Sequence, residues 1–270
     1  MNDTQKNRTV RQKGYYKLIN GDCLEVMKRI PDKSIDMILC DPPYGTIACK
    51  WDNIIPFEFL WKEYERIIKN DGAILLFGSG QFTHKLIYSN EKLYRYKWIW
   101  LKNKKGNFVN AKNRPMTSYE EIMVFSKGVT ANGCKNKMKY FPQGLKSKKT
   151  VRVDKNGTRF GTMAGKRPSH KKTIISEYMN YPFDVLQFDC VTKAIHPTQK
   201  PVSLLEYLIK TYSNEKEIVL DNCMGSGSTG VACINTNRKF VGIELNEHYF
   251  NVSCDRIKQA YQEKQDYGEW

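Results

Sequence analysis

Asp41-Pro42-Pro43-Tyr44 sets a carboxylate, two rigid imino residues and a phenol ring in consecutive positions, directly after the compact run Ile35 to Leu39. Proline lacks the N–H that a sheet ladder needs, so the chain leaves the sheet at this point. Held by two prolines, the carboxylate of Asp41 and the carbonyl of Pro42 can stand side by side as fixed acceptors. Tyr44 offers a flat ring that can stack on a base. An exocyclic amino group on a heteroaromatic ring fits such a set. Its two N–H donors bind the two acceptors, the nitrogen turns pyramidal, and its lone pair points at an electrophile. A Pro-Pro turn that only closes a strand, with Asp41 as a local cap, would use the same four residues.

A second constellation lies near the C-terminus. Gly225-Ser226-Gly227-Ser228-Thr229-Gly230 fits G-x-G-x-x-G between an expected strand and an expected helix, where glycines let a ligand approach the backbone. Glu244 ends the next expected strand, and a carboxylate there can accept hydrogen bonds from both ribose hydroxyls of an adenosine-bearing cofactor. A dinucleotide fits these features nearly as well as S-adenosylmethionine does. A glycine turn that serves only helix–sheet packing fits them too.

The elements that must position these residues alternate. Tyr16 to Asn20, Ile35 to Leu39, Ala73 to Phe77, Trp98 to Leu101, Ile122 to Phe125, Glu217 to Leu220 and Phe240 to Ile243 read as strands. Between them, Leu24, Met27 and Ile30 keep a helical spacing that Pro31 ends. Phe57, Leu60, Trp61, Tyr64, Ile67 and Ile68 mark one face of a second helix, which Asp71-Gly72 turns into a strand. Val202, Leu204, Leu205, Leu208, Ile209 and Tyr212 mark a third, and Val231 to Ile234 a fourth. Alternation of this kind implies an α/β fold with a mostly parallel twisted sheet and helices on both faces. Ligands then gather at the carboxyl ends of the strands, where the Asp41 motif, Asp221 and Glu244 all fall.

The 270 residues carry 44 Lys and Arg against 28 Asp and Glu, a net charge of +16. From Lys97 to Met116 there are six basic residues and no acidic one; from Ala131 to Ile195 there are 14 basic and four acidic. These two segments hold the whole excess, which points to a polyanionic partner met by the middle of the chain. The organisation read from this is a flexible basic arm (1–14), a first catalytic part (15–130), a basic, partly irregular insert (131–195) and a second catalytic part (196–270). The polar, basic N-terminus lacks the apolar core of a secretory signal, and no apolar run is long enough to span a bilayer. The eight cysteines form no CxxC pair and no zinc-ligand spacing, so no metal is expected, and small buried thiols in a reducing cytoplasm are.

In five motifs the chain resembles the S-adenosylmethionine-dependent DNA amino-methyltransferases, in the permuted order called the β class. The motifs are Gly21-Asp22; Ser34 to Ile38 leading into Asp41-Pro42-Pro43-Tyr44; Glu120 to Gly128; His196-Pro197-Thr198-Gln199-Lys200-Pro201; and Asp221 to Thr229. The resemblance implies a Rossmann-like methyltransferase fold, with S-adenosylmethionine as cofactor and double-stranded DNA as substrate. It further implies that Asp41, Pro42, Pro43 and Tyr44 hold and activate the target amino group. Asp22 and Cys23 would lie near the cofactor adenine and Glu244 at its ribose. Asp221, Cys223, Gly225 and Gly227 would line its methionine and ribose side. His196 and Thr198, in the adjoining loop, would also belong to the cofactor-binding set, with Lys200 at the carboxylate. An initial Asp in the motif is associated in this family with adenine N6, and Ser with cytosine N4. The family's Asp-Pro-Phe at the start of the cofactor loop is replaced here by Asp221-Asn222-Cys223.

The reaction so implied is in-line methyl transfer to a base flipped out of the duplex, without a covalent enzyme intermediate. Lys102, Lys104, Lys105, Lys112 and Arg114 are the expected phosphate contacts near that base. Arg152, Arg159 and Arg167 in the insert are candidates for reading bases or holding phosphates. A cognate restriction endonuclease acting independently, and a monomer or a homodimer, are both compatible with this. The alternatives are an N4-cytosine or RNA amino-methyltransferase, a non-catalytic DNA-binding relative and, more distantly, a nicotinamide dehydrogenase.

Overall fold

The computed structural model describes residues 9–45, 53–153 and 173–266. In chain order the elements are β1 (Val10–Lys13), β2 (Tyr16–Asn20), α1 (Cys23–Met27), β3 (Ile35–Cys40), α2 (Phe57–Ile67) and β4 (Ile68–Gly78). Then come α3 (Gln81–Ser89), β5 (Tyr94–Gly106), β6 (Thr117–Ser126), β7 (Lys146–Val153), β8 (Thr173–Met179) and β9 (Val185–Gln187). The chain closes with α4 (Val202–Tyr212), β10 (Ile218–Asp221), α5 (Ser228–Asn235), β11 (Lys239–Glu244) and α6 (Glu247–Asp266).

Nine strands form one sheet in the order β1-β2-β11-β10-β3-β4-β6-β5-β9. The central five, β2 to β4 in that order, run parallel. β6 is antiparallel to both β4 and β5. A parallel strand covered on both faces must be apolar on both. β3 accordingly sends Met37 and Leu39 into the core beneath α4, α5 and α6, and Ile38 and Cys40 into the core beneath α1, α2 and α3. Leu60, Trp61, Tyr64 and Ile67 are the buried stripe of α2, at the spacing that a helix lying on a sheet requires.

Three expectations are corrected. Of the stretch read as a flexible arm, residues 1–8 lie outside the described residues, and Val10–Lys13 form a strand paired antiparallel with β2 and exposed along its length. Ile68 does not end the helix face but opens β4, which continues through Gly72. A Cβ at Gly72 would lie 2.7 Å from the carbonyl oxygen of Asp36, so this close strand approach excludes a side chain.

The third correction concerns the insert, whose two ends belong to the main body. Met138 is buried, the Phe141 amide donates to Thr211, and β9 joins the sheet edge parallel to β5. Between these anchors, β7 and β8 pair as a separate two-stranded sheet. At the floor of the main sheet the buried carboxylate of Asp36 accepts from Lys69 (2.6 Å), Lys139 (3.1 Å) and the Ile218 amide (3.0 Å). Lys139 also bonds Glu217 at 2.5 Å. Burial alone would raise the pKa of Asp36, but these donors outweigh it and hold it below the usual carboxylate value.

Candidate active site

Four adjacent parallel strands deliver a polar group just past their carboxyl ends. These are Asp22 after β2, Glu244 at the end of β11, Asp221 at the end of β10 and Asp41 after β3. Together they border a cavity of about 760 Å³, whose wall is completed by Ile54, Ile55 and Pro56 ahead of α2 and by His196 and Lys200 from the loop ahead of α4.

Asp41 bonds two side chains. Its Oδ1 accepts from the Tyr44 hydroxyl at 2.6 Å and its Oδ2 from Lys200 Nζ at 2.5 Å. The Tyr44 ring stacks on Phe82 of α3, with centroids 4.7 Å apart and planes at 24°. Burial, and then the charge of Asp41, push the Tyr44 phenol well above its usual pKa, so it stays a donor. Lys200 is 8% exposed and its Nζ lies 3.2 Å from Glu120 Oε2 as well. Burial alone would lower the pKa of this ammonium; Asp41 and Glu120 together raise it instead. On the other side of Glu120, Oε1 accepts from Lys102 at 2.5 Å. Lys200 therefore sits with the Asp41 motif, not at a separate anion site.

The other half of the cavity is built from the glycine turn. Glu244 accepts the Gly225 amide on Oε2 and the Asn246 amide on Oε1, both at 2.8 Å, and burial raises its pKa. Asp22 caps α1 by accepting the Leu24 amide at 2.8 Å. Asp221 is 3% exposed and accepts from Thr229 Oγ1 (2.6 Å) and the Cys223 amide (3.1 Å). Burial nevertheless lifts its pKa to about 7. Gly225 and Gly227 both have left-handed backbones, with φ of +50° and +78°. Gly225 is on the cavity wall, facing His196. Gly227 turns the other way, and a Cβ there would meet Ser253 of α6 at 2.8 Å.

Asn222, where the family pattern has proline, is buried and accepts from the Tyr64 hydroxyl of α2 at 2.5 Å. Cys223 meets the thiols of Cys23 and Cys40; contact with Cys23 and burial raise its pKa, and the same contact lowers that of Cys23. His196 packs on Tyr249 at 4.3 Å, and its Nδ1 accepts from the Thr198 amide at 3.3 Å. Burial lowers its pKa.

Of the expected phosphate contacts, Lys102 is engaged with Glu120 and Lys104 donates to the Val191 carbonyl at 3.0 Å. Lys105 at the end of β5 and Lys112 and Arg114 on the β5–β6 connection are exposed. Arg159, Arg167 and the side chain of Arg152 lie outside the described residues. The structure adds Glu120, Tyr64, Asn222 and Thr229 to the site. Only the placement of Glu120 within a motif hinted at it in the sequence. Among the described residues no cluster of His, Cys, Asp and Glu could hold a metal ion, and no helix is long and apolar enough to cross a membrane.

S-adenosylmethionine, a cation at sulfur with a ribose and an adenine, fits this donor set. Four carboxylates, Asp22, Glu244, Asp221 and Asp41, line the cavity, and the Gly225 backbone is open to it with no atom nearer than 3.8 Å to a Cβ position. The N6/N4 methyltransferase family model, described as DNA methylase, matches residues 35–255. The chain is 28% identical over 261 residues to the DNA adenine methyltransferase YhdJ of Escherichia coli (strain K12), covering 90% of this chain and 83% of that one. Among solved structures, the cytosine-N4-specific PvuII DNA methyltransferase superposes with a TM-score of 0.64 at 15% identity, covering 93% of each chain. The complex of M1.HpyAVI with S-adenosylmethionine superposes with a TM-score of 0.58 at 23% identity, covering 89% of this chain and 99% of that one.

Proposed function

The chain belongs to the DNA methylase family of N6/N4 type, and from that premise we propose that it is a site-specific DNA methyltransferase acting on adenine N6. The observation that carries the choice of base is Asp41, a carboxylate rather than a hydroxyl at the start of the catalytic motif, with both oxygens already serving as acceptors at the cavity edge. The adenine specificity named for YhdJ supports the same reading.

S-adenosylmethionine supplies the family with an electrophilic methyl group on a sulfonium sulfur. The residues of this chain act on the nitrogen that receives it. Asp41 and the carbonyl of Pro42 accept the two N–H groups of a flipped adenine, drawing its lone pair out of conjugation. Asp41 would take the proton that the nitrogen gives up on receiving the methyl group. Tyr44 offers a ring already braced from behind by Phe82, so the base stacks on a fixed surface. The carboxylates of Asp221 and Glu244 complement the cofactor's positive charge and its hydroxyls. The exposed Lys105, Lys112 and Arg114 hold phosphates near the flipped base.

The test is transfer of a tritiated methyl group to unmethylated DNA by the wild type and by Asp41→Ala, with nucleoside analysis of the product. N6-methyladenine that falls at least a hundredfold in the variant is the expected result. N4-methylcytosine would overturn the target base, and methylation of RNA alone would overturn the substrate.

A further inference from the structure

Both oxygens of Asp41 are occupied in this structure, one by Tyr44 and one by the ammonium of Lys200. An acceptor already neutralised by a lysine at 2.5 Å is a poor partner for an incoming amino group. The second anion beside that lysine is in the opposite condition. Glu120 Oε2 is buried and has no hydrogen-bond partner, although it lies 3.2 Å from Lys200 Nζ. A small movement of the ammonium from Asp41 toward Glu120 would satisfy it and expose Asp41 Oδ2. What holds the balance is Lys102, which neutralises Glu120 from the other side and is 19% exposed on β5, ahead of the basic β5–β6 connection.

We propose that Glu120 is a positioning residue that takes Lys200 away from Asp41 when a nucleic-acid phosphate draws Lys102 off Glu120. The sequence of charges is Lys102, Glu120, Lys200, Asp41, alternating in sign and in contact throughout. Removing the first cation leaves two carboxylates sharing one ammonium. Glu120 then gains most, because its pair with Lys200, at 3.2 Å against 2.5 Å for Asp41, has room to tighten. Asp41 becomes an uncompensated acceptor only once a phosphate is seated, so the catalytic motif is armed by backbone contact. This inference rests on the methyltransferase reading.

The experiment is single-turnover methylation at saturating duplex and S-adenosylmethionine, using the site mapped on plasmid DNA methylated by the wild type. The substrate set replaces each phosphate flanking the target base, one at a time, by a neutral methylphosphonate. Glu120→Gln keeps the shape and removes the charge. It is expected to slow the single-turnover rate at least tenfold, with dissociation constants for cofactor and DNA within twofold of wild type. In the wild type one methylphosphonate position slows the saturated rate. Lys102→Met binds DNA more weakly, and its saturated rate does not respond at that position. An unchanged rate in Glu120→Gln, a loss matched by lost cofactor binding, or the same methylphosphonate sensitivity in Lys102→Met each overturns the proposal. If the wild type methylates no DNA at all, the methyltransferase reading fails first and this inference with it.

Discussion

Replacing Gly225 and Gly227 by alanine, one at a time, separates the two tasks of the glycine turn. Both positions have a left-handed backbone, which costs an alanine about 1–2 kcal/mol. At Gly225 that is the whole cost in the free protein, because the nearest atom to an added Cβ is His196 Nε2 at 3.8 Å. At Gly227 the Cβ would lie 2.8 Å from Ser253 Cβ and 3.1 Å from both Ser253 Cα and Ile257 Cδ1. Helix α6 must then give way, which adds about 1–3 kcal/mol of overpacking. Gly227→Ala should therefore lose about 2–5 kcal/mol in urea unfolding, and Gly225→Ala about 1–2. The ligand response should run the other way. At a free S-adenosylmethionine concentration of about 100 Kd, the wild type gains about 2.7 kcal/mol. Gly227→Ala should retain that increment, because its methyl points away from the cavity. Gly225→Ala should lose most of it, because its methyl stands on the wall that the cofactor approaches. Equal stability losses, or loss of the ligand increment in Gly227→Ala alone, would refute the assignment of one glycine to helix packing and the other to the ligand.

Other outcomes follow from the carboxylates. Burial raises the Asp221 pKa to about 7. In the free protein its contribution to stability is thus full below the unfolded pKa near 3.8 and declines as pH rises toward 7. A cationic ligand favours the ionised form, so S-adenosylmethionine should bind more tightly as pH rises through that range, by up to about tenfold per unit, and level off above pH 7. Calorimetric titrations should show this slope flattened in Asp221→Asn. Asp36 has a depressed pKa, so its contribution is present above about 3.8 and is lost as pH falls through the lower folded value. Lys139→Met should cost about 3 kcal/mol, the low end for a broken buried pair because Lys69 keeps its bond, and should raise the midpoint of acid unfolding followed by circular dichroism.

The catalytic half of the site was legible in the sequence because its chemistry is local. Asp41 to Tyr44 are contiguous, and the proline pair dictates that the chain leaves β3 there. Glu244 and the glycine turn were legible because each closes or follows a short apolar run whose period is unmistakable. The links between halves were not legible. Lys200 reaches Asp41 only because β9 runs parallel to β5 and hands the chain to the rim. Glu120 faces Lys200 only because β6 lies antiparallel beside β4. Tyr64 reads as an apolar stripe residue, and nothing in its helical period shows that its hydroxyl ends on Asn222. β1 escaped notice because an edge strand exposed on all its residues has no apolar alternation to betray it.

The two anchors of the basic insert give the fold a mechanical property. Its first end is riveted to the floor of the sheet by Lys139 and the Phe141 amide, and its last end is zipped to the rim by β9 and by the Trp100 indole on the Phe188 carbonyl at 2.8 Å. Lengthening the intervening segment changes loop entropy only logarithmically. A segment fastened in this way at both ends can change in length at little cost to the sheet that carries it.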